Sequence, residues 1–105
     1  MRLFAFAALL TLAACSRAEN TFIVEDEQQS VTAGSLVLCG STTPLQRLDG
    51  RLSVSKRIGC EGHGYIRLTY KSGREWDCPV GYVTPGAKQD FKFRATEADC
   101  QPLVS

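Results

Sequence analysis

The chain has 105 residues and carries 12 Lys and Arg against 11 Asp and Glu, a net charge of +1. That length holds one small domain, and near neutrality gives it no general attraction for nucleic acid. The chain opens on a leader: Arg2, then an apolar run from Leu3 to Ala14 broken only by Thr11. A membrane-spanning helix needs about 20 residues, so this run has instead the length of a secretory h-region.

The leader closes on Leu12-Ala13-Ala14-Cys15. Small side chains before a cysteine at this position resemble the bacterial lipobox. The resemblance implies that residues 1–14 are a signal peptide, that cleavage falls before Cys15, and that Cys15 carries lipid on its thiol and an acyl group on its new amino terminus. Two or more chains give stable membrane anchoring where one alone is marginal. Within that class Ser16, in place of an Asp, implies sorting to the outer membrane, facing the periplasm. The alternative is ordinary cleavage after the small-x-small site Ser16-Arg17-Ala18, which would release a soluble periplasmic or secreted domain.

Residues 15–29 read as the lipidated cysteine and a tether, made acidic by Glu19, Glu25, Asp26 and Glu27. Phe22-Ile23-Val24 is its one apolar break and offers an edge strand as the alternative. Residues 30–105 read as the β-domain. Ser35 to Cys39 is a short apolar run, and Gly40 to Pro44 has turn composition. Leu52, Val54 and Ile58 alternate with Arg51, Ser53, Ser55 and Arg57, the period of a half-buried strand, and Lys56 on the apolar side marks an edge. Ile66, Leu68 and Tyr70 alternate with Tyr65, Arg67 and Thr69. Lys71-Ser72-Gly73-Arg74 is then a hairpin turn, and the return strand from Glu75 to Val80 is limited by Pro79. Pro85-Gly86 makes another turn, and Phe91, Phe93 and Ala95 alternate in a last strand closed by Cys100. No segment has sustained helical periodicity. Short strands at this spacing predict an all-β fold: a small antiparallel β-sandwich, immunoglobulin-like, or a small closed barrel.

With Cys15 lipidated, Cys39, Cys60, Cys78 and Cys100 form an even set, read as two disulfides. Wide gaps without a close C-x-x-C pair argue against zinc, and no metal or cofactor is assigned. Three pairings are open. Cys39–Cys100 with Cys60–Cys78 is favoured here because it nests one loop inside the other.

Basic residues dominate the middle of the chain. Arg47, Arg51, Lys56, Arg57, Arg67, Lys71 and Arg74 face only Asp49 and Glu61 there. Such an excess suits an acidic partner or the phosphates of lipopolysaccharide, or forms the wet face of strands. In Cys60-Glu61-Gly62-His63-Gly64, the lone histidine lacks companions for a metal site, and the glycines suit a tight loop beside a disulfide. No G-x-S-x-G elbow accompanies His63 and Asp77, so no catalytic residues are assigned. Trp76, beside Cys78, reads first as a core ring packed on a disulfide and second as a binding platform. Arg67, Lys71, Arg74 and Trp76 surround one hairpin and are the candidate binding residues, with Tyr65 and Tyr82 near turns.

Ser72-Gly73-Arg74-Glu75-Trp76 is similar over five residues to the Ser-Gly-x-x-aromatic loop of periplasmic and membrane-bound lysozyme inhibitors. That resemblance implies insertion of the 71–76 hairpin into the cleft of an exported enzyme. Together with the lipobox resemblance, which implies a lipid anchor at Cys15, the leading expectation is a non-enzymatic envelope lipoprotein acting as a binding or structural module on a protein partner. The inhibitor is the alternative.

Overall fold

The computed structural model describes residues 19–86, 88–97 and 99–103. The expected signal peptide and the expected lipidation at Cys15 fall on residues outside those described. Among the described residues nine strands follow one another: β1 (Asn20–Glu25), β2 (Val31–Leu38), β3 (Ser41–Pro44), β4 (Gln46–Leu48), β5 (Arg51–Lys56), β6 (Gly62–Tyr70), β7 (Glu75–Val83), β8 (Asp90–Ala95) and β9 (Cys100–Pro102). They form a five-stranded sheet in the order β4-β5-β1-β8-β9 and a four-stranded sheet in the order β3-β2-β6-β7. All pairs are antiparallel except β1 with β8, which runs parallel.

The expected all-β sandwich with two disulfides is what forms, and the closed barrel is not, since each sheet keeps two edges. Strands β4-β5-β1 against β3-β2-β6-β7 reproduce the D-E-B against C′-C-F-G order of an immunoglobulin-type sandwich. An A strand would lie beside B; here β8 takes that place and β9 extends the sheet beyond it.

Alternation along the strands builds the core. Phe22, Val24, Leu52 and Phe93 point inward from one sheet, and Leu36, Leu38, Ile66, Leu68 and Tyr70 from the other, all in one buried cluster. Phe22 stacks on Phe91 of the adjacent strand at 4.7 Å between centroids. Leu45 and Ile58, on connections between the sheets, fill the gaps. Gly64 is required by packing: a Cβ there would lie 2.5 Å from Leu38 Cδ1 and 3.2 Å from the Val37 carbonyl.

Four sequence expectations are corrected. First, residues 20–25, placed in the tether, are the middle strand of the five-stranded sheet, so the folded domain begins before residue 30. The acidic residues misled because only Asn20, Phe22 and Val24 of β1 and the following Asp26 face inward. Second, Ser41–Pro44 is an edge strand; the turn is Cys39-Gly40, where φ is 55° and 73°, as a two-residue type I′ turn demands. Third, β5 is not itself an edge strand, because it lies between β4 and β1; β4 pairs only with residues 51–53, so Lys56, opposite Asn20 of β1, lies beyond its reach on an open stretch of that side. Fourth, the bridges are Cys39–Cys60 and Cys78–Cys100, not the nested pair. Cys39–Cys60 joins the β2–β3 turn to the β5–β6 connection. Cys78–Cys100 joins edge strand β7 of one sheet to edge strand β9 of the other.

The sandwich thus has two ends. Asn20, Lys56, Cys39, Cys60 and Val83 lie at one, the base. Glu25, Val31, Tyr70, Glu75 and the turns after β1, β4 and β6 lie at the other, the tip.

Candidate functional site: the β6–β7 ribbon

The β6–β7 hairpin forms about the expected turn, but β6 begins at Gly62, where a tight loop was expected, and β7 continues past Pro79 to Val83 through a register shift between Gly64 and Tyr65. Tyr70 N–H donates to Arg74 O and Gly73 N–H to Tyr70 O, with φ of 91° at Gly73 closing the turn. Lys71 N–H donates to Ser30 O, fixing the root of the turn against the segment before β2. Every residue from Lys71 to Asp77 is exposed.

The four candidate side chains do not converge on one point. Arg67 lies opposite Asp77 and donates to it through Nε (2.9 Å) and a terminal nitrogen (3.3 Å). That hydrogen bond raises the guanidinium pKa, with the Asp77 charge adding to it. The same guanidinium lies 5.4 Å from the centroid of the Tyr65 ring. Arg67 is therefore already partnered on the outer face of the sheet. Trp76 pairs across the ribbon with Leu68, on the inward-facing side, yet keeps 39% exposure because β7 is the edge. The expectation of a core ring is corrected: the indole lies on the rim, with the Arg74 guanidinium 5.6 Å from its centroid. Lys71 stands apart in a shallow hollow at the tip, shared with Gln28, Gln29, Ser30, Ser72 and Glu97.

Tyr82, 56% exposed, lies toward the base of β7, opposite His63. It sits edge-on to His63 at 5.3 Å, and a hydrogen bond with Glu61, with some desolvation, raises its phenol pKa. Asp77 engages Arg67, four residues along β6 from His63 and so about 13 Å away, too far for a direct His–Asp pair. Among the described residues no three His, Cys, Asp or Glu side chains gather as a metal site would require. An open groove of about 620 Å³ runs along the β7 edge between Arg67, Glu75, Trp76, Asp77 and Pro79.

Two parts of this surface were not anticipated. Asp77 as the partner of Arg67 was readable, since the two lie at equal steps on either side of Ser72. The central basic excess is also smaller than the sequence suggests. Arg47 pairs with Asp26 at 2.7 Å and Arg51 with Glu25 at 3.3 Å, using carboxylates assigned to the tether.

No family model matches the sequence, and no curated protein matches it. Among solved structures, a protein from Eubacterium rectale determined by NMR is similar, with a TM-score of 0.54 and 14% identity over 83% of this chain and 86% of that one. At that identity the likeness is one of fold, a shared β architecture over most of both chains.

Proposed function

We propose that this protein is a non-enzymatic envelope lipoprotein, anchored through Cys15, whose sandwich serves as a binding module for a protein partner. The observation that carries the reading is the placement of exposed rings. Of the exposed large apolar side chains among the described residues, Leu48, Trp76 and Tyr82, two lie on edge strand β7. Trp76 is flanked by Arg74, and Trp, Tyr and Arg are the residue types that dominate protein–protein binding energy. Lys71 and Arg74 give the turn a positive end suited to an acidic patch on that partner.

The topology is consistent with such an arrangement. An anchor upstream of Asn20 attaches at the base, and the β6–β7 turn lies at the tip. β6 has nine residues, a rise of about 30 Å, so the turn would face away from the lipid. Disulfides agree with an oxidising compartment.

A photo-crosslinking residue placed at position 76 in cells, with a second at Ser55 on the other sheet as control, tests the proposal. Crosslinks to one protein from position 76, lost on Arg74→Ala, are expected. Crosslinking from Ser55 alone would move the site to the opposite sheet. The inhibitor reading draws support from the exposed, turn-locked segment 71–76. It predicts that soluble domain blocks lysozyme at micromolar excess and that Gly73→Val abolishes the block; no inhibition removes it.

A further inference from the structure

The two disulfides occupy opposite environments. Cys78 has no exposed surface and Cys100 only 9%, and their bridge closes one side of the core. Cys39 is exposed and Cys60 half-buried, at the base of the sandwich. Cys39 occupies the first position of a type I′ turn with φ of 55°, a conformation that residues other than Gly, Asn and Asp adopt rarely. Three positions beside the bridge also carry no side chain. Gly40 follows Cys39, while Gly59 and Gly62 bracket Cys60, and a Cβ built at any of the three meets nothing within 4 Å. Open backbone beside an exposed disulfide residue eases the approach of an attacking thiol.

We propose that Cys39–Cys60 is an exchangeable disulfide, a site for a dithiol oxidoreductase, while Cys78–Cys100 is purely structural. In the reductive direction a thiolate of the dithiol attacks Sγ of Cys39, the more exposed residue of the pair. The Cys39–Cys60 bond breaks, and its electron pair leaves on Cys60 as a thiolate, which takes a proton from water. The dithiol's second thiolate then attacks its own sulfur in the mixed disulfide and releases Cys39 as a thiolate. The partner is oxidised by two electrons and the bridge reduced by two. The affected backbone is the Cys39-Gly40 turn and the connection at 57–61. That connection remains held by Ile58, 2% exposed, and by the hydrogen bond from Gly86 N–H to Ile58 O. The sandwich therefore survives the exchange. This site is independent of the β6–β7 turn, which lies at the other end.

The test is timed reduction of the purified oxidised protein with dithiothreitol, alkylation of freed thiols and peptide mass analysis, with circular dichroism followed in parallel. Cys39 and Cys60 should be alkylated at least about tenfold faster than Cys78 and Cys100, before the β spectrum changes. Equal rates, the reverse order, or loss of the spectrum together with the first alkylation would overturn the proposal. Exposure to oxidised glutathione after partial reduction should place the mixed disulfide chiefly on Cys39; placement chiefly on Cys60 overturns the assigned point of attack. The Cys39→Ser/Cys60→Ser variant should fold and resist the same mild reductant, whereas an unfolded variant would make this bridge structural.

Discussion

Asp26 is fully buried and serves as the acceptor for the turn that follows β1. Its Oδ1 accepts from Ser30 N–H at 3.0 Å, its Oδ2 from Val31 N–H at 3.1 Å and from Arg47 at 2.7 Å. Asp26→Ala would leave two backbone donors and a partly buried guanidinium without their acceptor. Loss of about 3 kcal/mol is expected in urea denaturation, far more than any exposed pair such as Arg67–Asp77 would cost. In the sequence this carboxylate looked like one more charge in an acidic lead, because its partner is 21 residues away and burial leaves no local mark. Tyr70 makes a second prediction. Its hydroxyl donates to Asp99 O at 2.6 Å, and burial, with nearby Asp99, raises its pKa. The neutral phenol is thus favoured in the folded state. The stability it lends is complete below the unfolded phenol's pKa and is lost as pH rises through the higher folded value. Tyr70→Phe should cost about 1 kcal/mol at neutral pH and flatten the alkaline decline in a melting series.

Among the elements, the turn end of β6 and β7 was the most legible, since alternation from Tyr65 to Tyr70 and Gly73 fix the hairpin there; the register shift between Gly64 and Tyr65 and the run of β7 past Pro79 to Val83 left no such mark. β3 was hidden because Ser-Thr-Thr-Pro has turn composition, and an edge strand with one free side need not be apolar. β1 was half hidden: Phe22, Ile23 and Val24 signalled a strand, but nothing local told an edge from a centre. The strand order decides that β1 is flanked on both sides, by β5 and β8. A chain begun at Ser30 would lose Phe22 and Val24 and split the five-stranded sheet in two. It should give the amide spectrum of an unfolded protein, whereas a chain begun at Glu19 should fold. Trp76 was misplaced for a related reason: its parity on β7 does point inward, but at an edge strand the inward side reaches solvent.

For the whole molecule, the bridges matter through the loops they close. Each spans nearly the same length, 21 and 22 residues, so chain entropy gives each about 3 kcal/mol. Sequence separation could not choose between pairings, because the selection is made by which strands end up adjacent. Cys78→Ala with Cys100→Ala should lower unfolding free energy by about that amount or more, the excess reflecting the void left at two buried positions. Thermal scans of the oxidised protein against the double variant would read it. The parallel contact of β1 with β8 has a further consequence, in time. Asn20 and Gln89, which hydrogen-bond at its edge, are 69 residues apart. A chain emerging N-terminus first therefore holds one flank of its middle strand unpaired until its end has been delivered. In that interval Phe22 and Val24 lie beside an open ladder, ready to accept a strand from any neighbouring chain. Crowding during synthesis, more than instability of the finished fold, is thus the hazard this order of strands creates.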